Sequence, residues 1–406
     1  MEGVFKNSPC VFNIPLGLSF VDCLAKNVLK HAPKSTFSLN DTTILLPNRR
    51  SVRALKEAFL RLSDGTPMVL PSIKAIGDVE GEDIALMEGS DFNALDIPEA
   101  INPKHRQLIL TRLISKAGPR LGFQNLSMPQ ALGLAKDLAY LIDEVETQEA
   151  KWEDLIDIVE KDLAHHWQQT LKFLEIVTEA WPKVLEDLGL IDPSKRRRLL
   201  LNNYRKKLER LPPPGPVIAA GSTGTIPATA RLLKTISRLP KGAIVLPGLD
   251  LSLPKDIWES LGGDKEELHN SETHPQFALK TLLNNILVSR DEVEPWPQDE
   301  TDKKILSSLS LRQRIISTAL LPPKAMSNWQ DLKIKIANQG PLKNALENIS
   351  LHEADGIREE AGAIALMMRE ALETPHKRVA LITANNQLAR RVESELKKWD
   401  ITIDKS

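Results

Sequence analysis

The stretch from Pro216 to Leu251 constrains the fold more than any other. An apolar run, Val217–Ala220, passes through Gly221-Ser222-Thr223-Gly224 into an amphipathic segment with Pro227 in its first turn, and Gly242–Leu249 supplies a second apolar run. Short β-rich runs on either side of a helical pattern predict a βαβ unit, whose parallel strands must be covered on both faces. In such folds ligands gather just past the carboxyl end of a strand, here Gly221–Thr225. The first question for this chain is therefore whether it handles a nucleotide.

The same grammar recurs upstream. Val11–Ile14 reads as a strand, followed by Pro15-Leu16-Gly17-Leu18 and a helical pattern to about Lys30. A phosphate-binding loop at that position needs GxxxxGK[ST], with glycines that let backbone N–H groups wrap the phosphates and a lysine that reaches them. Only one glycine is present here and the lysine is missing. Thr43–Leu46 is the next strand and Ser51–Leu62 a helix with Val52, Leu55, Phe59 and Leu62 on its apolar stripe. Between them lie Asn48, Arg49 and Arg50, with Arg53 one turn on, a basic helix start suited to a phosphate. The same arginines could simply solvate the first turn. Met68–Ile76 reads as a further strand carrying Lys74.

Charge is balanced overall, with a formal net charge of -1, but it is unevenly spread. Asp78 to Glu99 holds eight acidic residues and no basic one, and reads as a linker or loop. Lys195 to Arg210 holds eight basic residues, Arg198 and Arg205 among them, against Glu209. A polyanion-facing helix is one reading of that run and a solvated face the other. Cys10 and Cys23 are too few and too far apart for a disulfide framework or a cysteine-ligated metal. No apolar run reaches membrane-spanning length, and no leader is evident, so a cytoplasmic protein without a membrane partner is expected.

From Ile101 to Leu211 the periodicity is that of continuous helix, with apolar positions such as Leu108, Leu132, Leu138, Ile142, Trp167, Leu171 and Trp181 at three- and four-residue spacing. The tryptophans read as core, and the adjacent pair His165-His166 lacks the spacing of a metal site. Asp192-Pro193 marks the start of the basic helix, Asp as N-cap and Pro at its first position. The proline-rich segment 211–216 returns the chain to the sheet. Helical patterns follow at Phe277–Leu287 and Ile305–Leu320, then a connection through Trp329. The remainder alternates strand (Ile349–Glu353), helix (Ile357–Leu372), strand (Val379–Thr383), helix (Gln387–Lys398) and a short run (Ile401–Ile403).

The succession IPLGLSF, ILLPNRRSVRALKEAF, LPSIKAIGD, GSTGTIPATARLL, IVLPGLDL and HPQFALKTLL, with an EEAGAIA helix beyond it, resembles the AddB family of AddAB-type helicase–nucleases in its alphaproteobacterial form. The resemblance spans nearly the whole chain. It implies an α/β fold: a superfamily 1 helicase-like, RecA-like parallel sheet formed by 1–100 and 212–345, an all-α insertion at 101–211, and the start of a second α/β domain at 346–406. It also implies that the chain is a piece of a longer protein, whose C-terminal PD-(D/E)xK nuclease with cysteine-held iron–sulfur cluster lies elsewhere.

A motor of this type needs a lysine in its first loop, an Asp-Glu pair after a core strand and an arginine on the second domain. Gly17-Leu18-Ser19, Ala220-Gly221-Ser222 and Thr383 stand at those places. The expectation is a segment without ATPase, nuclease, metal or cofactor. It would bind single-stranded or duplex-end DNA in double-strand break repair and dock on the motor subunit AddA. Asn48, Arg49, Arg50, Arg53 and Lys74 are the implied contacts, supported by Arg198 and Arg205. Two rival expectations remain. One is a nucleotide-binding enzyme that uses Gly221–Gly224 as its phosphate turn, and the other a scaffold with no DNA contact.

Overall fold

A computed structural model describes residues 8–31, 39–76, 97–118, 126–152, 173–174, 176–261, 272–322 and 345–404. The acidic residues from Asp78 to Asp96, Trp167, Leu171, His165-His166 and Trp329 lie outside them. The chain forms two compact units, Met1–Gln339 and Gly340–Ser406.

The first unit is α/β. Among the described residues its strands are β1 (Val11–Ile14), β2 (Thr43–Leu46), β3 (Ser72–Ala75), β4 (Val217–Ala220), β5 (Gly242–Pro247) and β6 (Glu294–Pro295). They form one sheet in the order β3-β2-β4-β5-β1-β6 with every pairing parallel. The βαβ unit expected at 216–251 is present, with α7 (Pro227–Ile236) between β4 and β5 and a proline in its first turn. The residue pair Glu294–Pro295, too short to carry a pattern, was not foreseen as a strand.

Side chains alternate strictly across the sheet, as a period of two demands. Phe12, Ile44, Ile218 and Val245 face one layer, built by α1 (Phe20–His31) and α2 (Arg49–Leu62). Val11, Leu45, Ala219 and Ile244 face the other. That layer contains α6 (Pro193–Arg210), α7, α8 (Lys255–Ser260) and α9 (Phe277–Ile286). Covering both faces explains why β1 and β4 are buried at every residue. Phe59 of α2 is wholly enclosed, and burying a side chain of that size contributes on the order of 2–3 kcal/mol. Leu62, expected on the same stripe, is exposed at the helix end.

The helical stretch contains α3 (Pro103–Ala117), α4 (Met128–Gln148), a π-helical turn Ile176–Ala180, α5 (Trp181–Leu188) and α6. Its own core gathers Leu110, Ile114, Ala135, Leu138 and Trp181. Leu108 and Leu132 point outward instead, because Leu110 and Ala131 take the inward positions. Leu200, Leu201, Tyr204 and Leu208 of α6 join the sheet's core, so this helix couples the helical cluster to the sheet. Asp192 is the N-cap of α6 by position, yet its side chain makes no capping bond. Its carboxylate accepts a hydrogen bond from Trp181 Nε1 at 3.0 Å and lies 3.0 Å from Arg106 Nε.

In the second unit α11 (Ile357–Leu372) and α12 (Asn386–Lys397) pack through Ala361, Ala365, Leu388, Val392 and Leu396. The strands expected at 349–353, 379–383 and 401–403 are not formed. Leu351 and Ile382 stand 87% and 95% exposed. An apolar run becomes a strand only beside another strand that takes up its N–H and C=O groups, and the described residues of this unit form none.

Candidate functional site at the carboxyl edge of the sheet

β1 and β5 are neighbours, but the chain leaves them to opposite faces, α1 into one layer and α8 and α9 into the other. Connections that diverge in this way open a crevice at the carboxyl ends of the strands, the usual place for a ligand in an open α/β sheet. Here the crevice lies between Pro15-Leu16-Gly17 after β1 and Leu249–Ser252 after β5.

A helix lies across it. α10 (Glu300–Ala319) is capped by Asp299, whose carboxylate accepts the Asp302 N–H at 2.8 Å and pairs with Lys26 of α1. The Lys26 ammonium, followed by that N–H, holds the Asp299 carboxyl down to about 2. Gly17 has a left-handed φ of +96°, and a Cβ placed on it would stand 2.7 Å from Leu309 Cδ1. The Gln313 side-chain amide donates to the Leu16 carbonyl. Apolar and amide groups of α10 thus occupy the space over the turn where a phosphate loop would cradle its anion.

Beneath α10 remains a cavity of about 480 Å³. Leu16, Leu249, Leu306, Leu309, Ile316 and Leu320 give it an apolar wall. Most of its polar lining is already engaged. Asn13 Nδ2 donates to the Leu249 carbonyl at 3.0 Å, and the Leu249 N–H donates back to Oδ1 at 2.8 Å. Gln276 Nε2 donates to the Gly248 carbonyl at 3.1 Å, and its Oε1 accepts the Asp250 N–H at 3.0 Å. Asp250 Oδ1 accepts from Ser252 N, Ser252 Oγ and Leu253 N.

His274 differs. Its Nδ1 accepts the Gln276 N–H at 3.1 Å, which leaves the proton of the neutral ring on Nε2. Nε2 is buried without a hydrogen-bond partner. Burial holds the imidazole below its ordinary 6.5, with Asp250 opposing. Below that ordinary value the native state binds fewer protons than the unfolded chain, so stability should fall as the pH drops through 6.5 toward the depressed native value. His274→Phe should flatten that part of a plot of urea midpoint against pH, and an unchanged slope between about pH 7 and pH 5 would contradict the assignment.

The residues singled out in the sequence do not converge. Asn48 is the N-cap of α2, its Oδ1 accepting Ser51 N at 2.8 Å and Ser51 Oγ at 3.0 Å. Arg49, Arg50 and Arg53 are exposed on the first turns, with Arg53 Nε 3.1 Å from Glu57. These four share one helix start at the carboxyl end of β2. Lys74 pairs in register with Leu45 and stands on the face opposite α2, since Ile73 packs into the α2 layer and Ile76 into the other.

Arg198 and Arg205 are half-buried, and each pairs with a carboxylate of the fold. Arg198 donates twice to Glu146 of α4, at 2.9 and 2.6 Å. Arg205 donates to Glu209 at 2.6 Å, and Glu209 also accepts Thr235 Oγ1 of α7 at 2.9 Å. Counting basic residues along α6 could not reveal carboxylates supplied from another helix.

At the turn after β4, Gly221 and Gly224 have φ of +75° and +60°. The Gly221 N–H donates to the Val245 carbonyl at 2.9 Å and the Gly224 N–H to Ser222 Oγ at 3.3 Å. A Cβ on Gly224 would lie 2.5 Å from Leu282 of α9. The turn is a tight connection buried at Gly224 and partly exposed at Gly221–Thr223, with two of its N–H groups already committed. Gly221 also abuts Pro47, so this turn sits beside the one that carries Asn48–Arg50.

Sequence reasoning missed Asn13, His274, Gln276 and α10's place over the edge. Asn13 sits inside what reads as an apolar run, and His274 and Gln276 precede a helix with no pattern to mark them. Among the described residues no helix is long and apolar enough to cross a membrane, and no group of three His, Cys, Asp or Glu is placed to hold a metal ion. Neither a known protein-family model nor a curated protein matches this chain.

Proposed function

We propose that the chain is a non-motor, helicase-like segment of the AddB type that binds the backbone of single-stranded or duplex-end DNA in double-strand break processing, alongside the motor subunit AddA. The observation that carries this reading is the start of α2. Its first turn holds Arg49 and Arg50 with no acidic residue. Cations at a helix N-terminus oppose the helix dipole, each by about 0.3–1 kcal/mol. Arg49 and Arg50 each already have a partner, and an exposed basic helix start is where a phosphate backbone can be received. The all-parallel sheet and the position of this turn beside the turn after β4 agree with a RecA-like arrangement. Leu309 over Gly17 and the bonded N–H groups of Gly221 and Gly224 count against the rival reading of a nucleotide enzyme.

The test is a titration of the full chain with a fluorescent single-stranded oligonucleotide at two salt concentrations. Arg49→Ala with Arg50→Ala should weaken binding by about tenfold at low salt. It should also lower the slope of log affinity against log salt by about 1.4, two contacts at roughly 0.7 each. Identical titrations for wild type and variant would overturn the contact assignment. Mg²⁺–ATP binding at micromolar affinity would overturn the non-motor reading.

A further inference from the structure

We infer that α10 is a hinged lid: it lifts from the carboxyl edge of the sheet as one body while the sheet stays folded, and uncovers the turns after β1 and β5 when it does. The inference does not depend on DNA binding. A firm hinge precedes the helix. Trp296 is 4% exposed, and its ring meets Phe12 edge-on with centroids 5.2 Å apart. Its backbone N–H donates to the Asn13 carbonyl at 2.9 Å and its Nε1 to the Cys23 carbonyl at 3.2 Å. The Pro297 carbonyl accepts Asn27 Nδ2 at 2.6 Å. The segment that leads into α10 is thus fixed to β1 and to α1.

The helix itself is seated lightly. Of its twenty residues Asp302 and Thr318 are buried, whereas the ten of α9 bury Leu279, Leu282, Leu283 and Ile286. Ile305 and Ile316 are 39% and 45% exposed. Leu306 and Leu309 are partly covered, and both border the space of about 480 Å³ beneath the helix. Atoms that face such a space lack the packing partners that would hold the helix down.

The contacts that seat α10 are those an opening can break. Lys26 pairs with Asp299 and lies 3.8 Å from Asp302, with about a third or more of the Lys26 and Asp299 side chains in solvent. Farther along, Leu309 stands over Gly17 and the Gln313 amide donates to the exposed Leu16 carbonyl. Once released, the helix has little to sustain it. Its twenty residues include four serines, two threonines and three isoleucines, all weaker helix formers than alanine or leucine. Most helical stability in proteins comes from packing, so a lifted α10 melts and its amides become exchangeable.

Native-state hydrogen exchange on the full chain, repeated at rising urea concentrations below the unfolding transition, tests the lid. The amides from Leu306 to Ser317 should share one opening equilibrium with a small urea dependence, at least about a hundredfold more open than the amides of β4 and α9. Gln313→Ala should raise that shared opening by about twofold to tenfold, the range for one lost hydrogen bond. Lys26→Met should raise it by about twofold to fivefold, as for a partly exposed ion pair. Amides of α9 should change in each variant only as far as its global stability does. Exchange of the α10 amides through the same opening as the sheet overturns the inference. So does a gradient that quickens toward Leu320 while Leu309 stays protected, since that is fraying and not a lid. The wild-type comparison decides between these results whatever the variants do.

Discussion

Replacing Arg106 by methionine should destabilise the first unit by about 3–5 kcal/mol at neutral pH, the range expected when one partner of a buried ion pair is removed. Arg106 is only 4% exposed. Its Nη1 donates to Asp143 Oδ2 at 2.8 Å and its Nη2 to the Ala139 carbonyl at 3.1 Å, while Nε lies 3.0 Å from Asp192 Oδ1. The Nε contact is electrostatic: neither Arg106 Nε nor Asp192 Oδ1 finds a hydrogen-bond partner. Methionine keeps much of the apolar stem, so the change isolates the charge from the packing.

Without Arg106, Asp192 retains Trp181 Nε1–H at 3.0 Å and no cation. Burial already raises its carboxyl, with Arg106 the main opposing influence. In the variant that carboxyl rises further. A raised native value means stability present at acid pH and lost as the pH climbs through that value. The deficit of Arg106→Met should therefore be smaller near pH 4 than near pH 7, and adding Asp192→Asn should recover part of it at neutral pH. Urea midpoints followed by tryptophan fluorescence measure all three effects. A loss below about 1 kcal/mol at neutral pH would mean that Arg106 is no more than a surface-like pair.

The parts of this fold that sequence revealed are those fixed by local chemistry. β1, β2 and β4 follow directly from buried apolar runs, and α7 from its proline start. Asp192-Pro193 marks the beginning of α6 correctly, although for a reason that only half applies. The backbone takes the N-cap conformation, but the carboxylate serves Trp181 and Arg106. Features that depend on distant partners were not legible. Arg198 looks like part of a basic surface until Glu146, 52 residues away, is seen to neutralise it. The three short apolar runs after residue 345 carry strand-like composition, but a strand is a relation between segments, and composition describes only one of them.

The carboxyl edge shows the same limit with more consequence. That the turn after β1 carries no lysine is legible, because a missing lysine is missing at any geometry. What fills the edge is not legible. Leu306, Leu309 and Gln313 sit in a helix whose pattern shows an apolar stripe but not its target, nearly 300 residues from Leu16 in sequence. With α10 over that edge, Leu309 stands above Gly17 and the space beneath the helix is walled by leucine and isoleucine.

Asn13→Leu is the substitution that tests how the floor of that space is held. It should destabilise the first unit by about 2–6 kcal/mol, two buried backbone groups losing their partners at roughly 1–3 kcal/mol each. Asn13 is 1% exposed, and its side chain closes a two-bond ring with Leu249, itself 3% exposed. Leucine has the same number of side-chain heavy atoms and opens no void, but its bulkier methyl groups add overpacking to the loss. What remains is a buried N–H and a buried C=O of Leu249, out of reach of water. Asn13→Asp separates shape from hydrogen bonding. The carboxylate keeps the acceptor for Leu249 N–H but faces the Leu249 carbonyl without a donor, and burial raises its native value above that of the unfolded chain. Its stability is then highest at acid pH, where the protonated carboxyl can donate as the amide does, and falls as the pH rises. Hydrogen exchange at the Leu249 amide should quicken in Asn13→Leu beyond what global unfolding explains. The Asp250 amide, which donates to Gln276 Oε1, should stay protected to the level set by the variant's own stability. Equal acceleration at both would make Asn13 a contributor to general stability rather than the clamp between β1 and the turn after β5.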